Sequence, residues 1–164
     1  MKKILIATDN FLPRWDGITR FLVEIIPKLK KDFEVKLIAP EGKEEFSKGI
    51  KKYSVKNSRF HIGDFRIPIM PLFKSVTALK KSDLVFIQSL GPIGLVTLLN
   101  AFFRRKQIVF YVHSIESELV PTAMRFAYLK KMTTQIAKWY SRVCYNRATL
   151  IIVPSEGVYE MLTW

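Results

Sequence analysis

The sequence contains one cysteine, Cys144, among 164 residues. A single thiol cannot form a disulfide within the chain, and it cannot supply a cysteine cluster for a metal. The chain is therefore expected to fold without disulfides, in a reducing or thiol-indifferent setting. Hydrophobic residues make up 49% of it, which excludes a disordered segment and predicts one domain with a substantial core.

Long hydrophobic runs are missing as well. The N-terminal run Ile4–Ala7 is too short for a signal peptide, and no small-residue cleavage site follows it. No stretch approaches the roughly 18 apolar residues that span a membrane. These absences predict a cytoplasmic protein, and any membrane contact is expected to be peripheral, on the cytoplasmic face.

Several chemical signatures are also absent. The sequence has no Gly-x-Ser-x-Gly nucleophile elbow, no metal-ligand spacing such as His-Glu-x-x-His, and neither a dinucleotide fingerprint nor a Walker loop. The aromatic and basic motif of an RNA-binding sheet is missing too. We therefore predict no metal and no cofactor.

Acidic residues are few: 14 Asp and Glu against 27 Lys and Arg give a net charge of +13. Residues 84–155 contain nine bases and only two acids. Such a surface can attract an anionic membrane, a phosphorylated substrate or nucleic acid. Lysine-rich proteomes also produce basic domains without a polyanionic partner. Because nothing beyond charge supports nucleic acid, it is not predicted as a partner.

The pattern of apolar runs predicts alternating strands and helices. The predicted strands are Lys3–Thr8, Phe33–Ala39, Asp83–Gln88, Gln107–His113 and Leu150–Val153, with a hairpin within Tyr53–Pro68. The predicted helices are Gly17–Lys31, Leu72–Lys81, Gly91–Arg105 and Pro121–Asn146, followed by a last helix capped by Ser155. Nearly continuous apolar strands separated by helices favour an α/β fold, a Rossmann-like, mostly parallel sheet with helices on both faces.

Polar residues and glycines follow the ends of these strands, where open parallel sheets bind their ligands. The candidate binding residues are Arg14, Asp16, Gly17, Gln88, Gly91 and Ser155. His113 ends the fourth long strand and is the catalytic candidate, because an imidazole there can donate to a sugar hydroxyl or stabilise a developing charge. Glu116 lies just beyond it, as a candidate base or as an acid at a helix N-terminus.

The long predicted helix carries two stripes of residues. The residues expected to face the core are Phe126, Leu129, Ile136, Tyr140 and Val143. The basic stripe contains Lys131, Gln135, Lys138 and Arg142, with Met132 and Trp139 between the two stripes. Aromatic and basic residues on one helix edge suit a membrane surface. The simpler alternative is a solvated face whose lysine stems cover apolar residues.

Four segments of the chain, taken in sequence order, together resemble a known pattern. They are the loop that carries Asp9, Phe11, Pro13, Gly17 and Arg20, the segment Ser82–Gly94, the strand that ends in His113, and the segment Arg147–Ser155. In this order they resemble the N-terminal domain of family 4-like GT-B glycosyltransferases. Two positions depart from the pattern, since Gln88 stands where relatives often have histidine and Thr149 replaces an aspartate.

The resemblance implies transfer of a sugar, usually with retention, from a nucleotide-sugar donor to a lipid or saccharide acceptor between two Rossmann-like domains, without a metal. It implies that Gly17 approaches the donor phosphates or the acceptor, that His113 lies beside the donor sugar, and that Ser155 lies near the interdomain cleft. The family's donor-binding residues belong to a C-terminal domain that residues 1–164 do not reach. This chain is thus expected to be the acceptor-side half and to be inactive alone.

Two further hypotheses stay open at this point. The chain could be one subunit of a split transferase whose partner carries the donor site. It could also be a non-catalytic basic α/β module that binds a membrane surface, for which Lys131, Lys138 and Arg142 are the candidate contacts, or another polyanion.

Overall fold

The chain is described here by a computed structural model that covers residues 1–42, 49–62, 65–113 and 127–162. Its strands are β1 (Lys2–Ala7), β2 (Phe33–Pro40), β3 (Lys51–Val55), β4 (Asn57–Ile62), β5 (Phe65–Pro68), β6 (Leu84–Ile87), β7 (Gln107–Tyr111) and β8 (Leu150–Ile152). Its helices are α1 (Gly17–Leu29), α2 (Leu72–Leu79), α3 (Pro92–Phe103), α4 (Ala127–Tyr145) and α5 (Glu156–Leu162).

Six strands form one sheet in the order β3-β2-β1-β6-β7-β8, and every neighbouring pair is parallel. The chain runs outward from β1 through β2 to β3, then returns to β6 on the other side of β1. The loops that leave β1 and β6 therefore run in opposite directions along the sheet. Open α/β sheets form a ligand crevice at this point, which we call the divergence of the sheet. The predicted Rossmann-like parallel sheet is confirmed.

The core lies on both faces of this sheet because successive side chains of a strand point to opposite sides. Leu5 belongs to a buried cluster that includes residues of α2, α3 and α4. Ile6 belongs to a second cluster with Leu22 and Ile26 of α1. The near-continuous apolar run of β1 is thus explained by burial on both faces.

The segment predicted as a hairpin divides between two sheets. β4 and β5 pair antiparallel, as expected of a hairpin. Tyr53–Val55, however, lies in β3, which joins the main sheet parallel to β2. Because β3 is an edge strand with half-exposed residues, it lacks the continuous apolar run that identifies the central strands.

Helix α4 faces the sheet with a stripe that matches the predicted one only in part: Tyr140 is half-buried and packs against the core as predicted. Its buried residues are Ala137, Ser141, Cys144 and Tyr145, whereas Ile136 is 55% exposed. Small side chains at 137 and 141 allow close packing, and the larger apolar residues turn outward. Met132 and Trp139 are also exposed, so with Ile136 they form what we call the outer apolar face of α4. Phe126 and the side chain of Leu129 lie outside the description.

Candidate functional site

Asp9, which follows β1, reaches across the divergence of the sheet to the first turn of α3. Its Oδ1 accepts the N–H of Ile93 at 2.7 Å. Its Oδ2 accepts the hydroxyl of Ser89 at 2.7 Å and the N–H of Gly94 at 3.2 Å. Helix N-termini attract anions, and here the protein's own carboxylate fills that position.

The environment of Asp9 acts on its ionisation in two directions. Burial raises the pKa of this carboxyl, and the hydrogen bonds from Ser89, Ile93 and Gly94 oppose that rise. A Cβ on Gly91 would lie 2.5 Å from Asp9 Cγ, so Gly91 lets the carboxylate approach the helix. Gly91 is one of the predicted binding residues, and in the structure it lies next to Asp9.

His113 and Gln88 meet at the ends of β7 and β6. His113 Nε2 lies 2.9 Å from Gln88 Oε1, and Gln88 is 2% exposed. An amide oxygen only accepts, so this contact puts the proton of a neutral imidazole on Nε2 and leaves Nδ1 as an acceptor. The Nε2 of Gln88 is buried and has no hydrogen-bond partner among the described residues.

Aromatic rings enclose the His113 imidazole. The ring of Phe21, on α1, lies edge-on at 5.1 Å, and that of Tyr111 lies at 4.5 Å. Burial lowers the pKa of His113 from 6.5 to about 4, and the charge of Asp16 opposes this shift. At neutral pH the imidazole is therefore uncharged, and it donates a hydrogen bond from one ring nitrogen and accepts one at the other.

The N-terminus of α1 gathers three predicted binding residues. Asp16 is its N-cap, because Oδ1 accepts the N–H of Thr19 at 2.9 Å. The other oxygen of Asp16 lies 3.4 Å from Arg14 Nε. A Cβ added to Gly17 would meet no described atom within 4 Å, so the described part of the chain leaves the space beside Gly17 open.

A cleft of about 740 Å³ opens beside this group, at the carboxyl ends of β1 and β2. Its walls include Arg14, Asn10 and Glu41, with Asn57 and Arg66 from the β4–β5 hairpin. Arg14 and Asn10 belong to the residues after β1 that the sequence indicates, and Glu41 directly follows β2. Asn57 and Arg66 are missed because the hairpin is distant in sequence and carries no strand-end signal of its own.

A comparison with family models decides the identity of this fold. The model of Glycosyltransferase Family 4 matches residues 15–164. The chain belongs to glycosyltransferase family 4. This confirms the resemblance and supports a glycosyltransferase-type function. No curated protein matches the chain.

In this family 4 glycosyltransferase domain the predicted site residues separate into two places. Gln88, His113 and the Arg14–Asp16 pair lie near the divergence of the sheet, since the charge of Asp16 acts on His113. Ser155 follows β8 at the start of α5, where its Oγ accepts the N–H of Val158 at 3.4 Å. Glu116 lies outside the described residues.

The basic candidates of the glycosyltransferase domain lie apart from this site. Lys131, Lys138 and Arg142 are exposed on α4, which packs on the face of the sheet opposite α1. No helix in the described part of the chain is both long and apolar enough to cross a membrane. Within the described ranges, no three His, Cys, Asp or Glu residues are grouped so as to hold a metal ion.

The lowered pKa of His113 predicts a pH-dependent stability. Between pH 6.5 and pH 4 the unfolded chain takes up a proton that the folded domain refuses, so the free energy of unfolding falls as the pH falls through this window. His113→Gln is expected to remove this component. Urea unfolding of both proteins at pH 7, 5.5 and 4.5 measures it, and parallel pH curves would contradict it.

Proposed function

We propose that this chain is the acceptor-side half of a GT-B glycosyltransferase that transfers a sugar from a nucleotide-sugar donor to a lipid or saccharide acceptor. The observation that carries the proposal is the contact between His113 and Gln88 at the mouth of the sheet. In an enclosed site, a hydrogen-bonding group with a fixed proton can be aimed at a substrate hydroxyl without reorganisation.

The residues of this chain would divide the work as follows. His113 Nδ1 would accept a hydrogen bond from a hydroxyl of the bound donor sugar, while its Nε2–H stays with Gln88. The open space at Gly17 would admit the donor phosphates or the acceptor close to the backbone of α1. Arg14 would add a positive charge at the same helix end.

The donor-binding residues would come from a C-terminal domain or from a partner chain. The proposal therefore predicts little or no transferase activity for residues 1–164 alone. The coding sequence beyond Trp164 is the first thing to read. A second α/β domain with a basic pair and two glutamates eight positions apart would supply the donor side, and a stop codon with no partner gene would favour a binding module.

A second function, contact with an anionic membrane, is favoured by α4. Its outer apolar face lies beside the exposed bases Lys131, Lys138 and Arg142, because residues three, four and seven apart share one side of a helix. Apolar side chains next to lysine and arginine are the composition of helices that lie in a membrane surface. This surface would bring a lipid-linked acceptor to the site.

One experiment tests both functions with two variants of the enzyme that includes the donor half. His113→Ala is expected to lower kcat by a factor of roughly 100 or more, and to leave vesicle binding intact. The double variant Lys131→Gln, Lys138→Gln is expected to do the reverse. It should weaken binding to vesicles rich in anionic lipid by roughly tenfold or more, since each base contributes about 1 kcal/mol, and turnover of a soluble acceptor should persist.

The outcomes separate the two functions. Unchanged turnover in His113→Ala would remove this residue from the mechanism. Equal binding of the wild type to neutral and anionic vesicles would remove the membrane surface. The double variant Lys28→Gln, Lys31→Gln, on the opposite face of the sheet, is the matched control for the loss of two positive charges.

A further inference from the structure

The cleft between the end of β2 and the β4–β5 hairpin has no role in the chemistry assigned to His113. It is lined from two directions, by the loop after β1 and by the hairpin. Because its volume of about 740 Å³ falls within the range of small-molecule sites, it can hold a ligand of one or two sugar rings. Its lining then decides which kind of ligand fits.

Positive charge predominates in this cleft. Arg14 and Arg66 line it, and Lys52 reaches its rim, where Nζ lies 3.5 Å from the carbonyl oxygen of Gly42 and 5.5 Å from the ring centre of Phe11. Arg66 is exposed and makes no ion pair with any described residue. The hairpin thus presents to the cleft a guanidinium whose charge the described protein does not neutralise.

The acids of the cleft do not balance these bases. The carboxylate of Asp9 already accepts hydrogen bonds from α3, so it faces away from a ligand. Glu41 is exposed, and its backbone N–H is held by Val55 O at 2.8 Å. Arg14 pairs with Asp16, so among the described residues one exposed carboxylate, Glu41, stands against two further cations, Arg66 and Lys52. This balance favours an anionic ligand, and Glu41 offers an acceptor for its hydroxyls.

Unused hydrogen-bonding capacity adds a preference for polyhydroxylated molecules. Asn10, from the loop after β1, and Asn57, from the hairpin, both line the cleft, and the Oδ1 of each is buried without a hydrogen-bond partner among the described residues. A buried unpaired oxygen costs about 1–3 kcal/mol. Rotation of either amide towards the cleft would relieve this cost when a ligand hydroxyl is present to donate.

We propose that this cleft is an acceptor subsite for an anionic saccharide, in which Arg66 of the hairpin binds the phosphate or carboxylate and Asn10 and Asn57 bind hydroxyls. The inference rests on the proposed function, because it gives the acceptor side of that enzyme its substrate class. Arg14, which lines the cleft and pairs with Asp16, connects this subsite to the α1 end of the site.

Binding of four probes to the 164-residue chain, followed by NMR titration, tests the subsite. Glucose 6-phosphate and glucuronate are expected to bind, and whichever binds more tightly identifies the acidic group. Glucose and inorganic phosphate should each bind at least about tenfold more weakly than the better acid. Glucose lacks the acidic group, and inorganic phosphate lacks the hydroxyls of the sugar ring. Equal affinity for glucose or for inorganic phosphate, or no binding of either acid at millimolar concentrations, would overturn the proposal.

Two arginines of the same hairpin provide a matched pair of variants. Arg66→Gln is expected to weaken binding of the better acid by about tenfold. Arg59→Gln should leave it unchanged, because Arg59 is equally exposed but does not line the cleft. If both variants weaken binding alike, the effect is one of net charge and the subsite is wrong.

The variant His113→Ala separates this proposal from the proposed function. It should bind the acidic saccharide as the wild type does, since His113 does not line the cleft. If turnover survives in His113→Ala while Arg66→Gln weakens binding, the role of His113 fails and the subsite stands. If His113→Ala abolishes turnover and Arg66→Gln changes nothing, the subsite fails alone.

Discussion

Replacing Asp9 with alanine is expected to lower the free energy of unfolding by about 3 kcal/mol. The substitution removes the acceptor of three donors: the N–H groups of Ile93 and Gly94 and the hydroxyl of Ser89. Asp9 is 3% exposed, so the freed donors lie away from the bulk solvent. The lost contacts also connect β1 to α3 across the divergence of the sheet.

A second aspartate gives the matched control for this prediction. The Oδ2 of Asp83 accepts the backbone N–H of Lys3 at 2.8 Å, at the opposite end of the same pair of strands, and that residue is exposed. Asp83→Ala is expected to cost about 1 kcal/mol or less, because water replaces the lost partner. Urea unfolding at pH 7 measures both variants, and equal losses would contradict the special role of Asp9.

Asp9→Asn tests whether one acceptor oxygen is enough at this position. The amide keeps one acceptor oxygen but turns an N–H₂ group towards a donor, so its expected cost lies between those of the wild type and Asp9→Ala. A loss as large as that of alanine would mean that both carboxylate oxygens are needed to hold the start of α3.

The order of the elements could be predicted because the central strands are apolar on both faces. Predicted Asp83–Gln88 and observed Leu84–Ile87 differ by one residue at each end, and the helix that follows begins at Pro92, as its proline indicates. β3 could not be assigned to the main sheet from sequence, since Lys51–Val55 lacks that apolar run. Its place follows only from pairing with β2.

The orientation of α4 escaped prediction for a related reason. Apolar residues occupy two adjacent stripes of this helix, and a helical period does not reveal which of them faces the sheet. Small residues decided it, because Ala137 and Ser141 are buried and Ile136 is not. The larger apolar residues Met132, Ile136 and Trp139 are left on the outside of the helix.

In the candidate site, too, single residues could be predicted from the sequence but their contacts could not. Position at strand ends indicated His113 and Gln88 separately, but their contact depends on the register of β6 and β7, in which Ile87 lies opposite Phe110. The pairing of Asp9 with Ile93 spans 84 positions of the chain, and no local pattern records it. Chemistry-bearing residues could thus be predicted one by one, whereas their partners follow from tertiary structure.

Gly94→Ala is expected to destabilise the domain by about 2–3 kcal/mol. An added Cβ would lie 1.8 Å from the carbonyl oxygen of Ser89 and 3.4 Å from Asp9 Oδ2. Since the first of these atoms is backbone, no rotamer change relieves the clash, and the start of α3 has to move away from β6. That movement would also lengthen the hydrogen bonds that the first turn of α3 gives to Asp9.

Gly17→Ala is the matched control, because both glycines lie in the first turn of a helix and a Cβ at position 17 meets no described atom within 4 Å. Its thermal unfolding temperature should equal or slightly exceed that of the wild type, whereas that of Gly94→Ala should fall by several degrees. Equal temperatures for all three proteins would show that α3 shifts at no cost. In an enzyme complete with its donor half, a stable Gly17→Ala that loses turnover would locate a ligand in the space the glycine leaves open, since no described residue requires a glycine there.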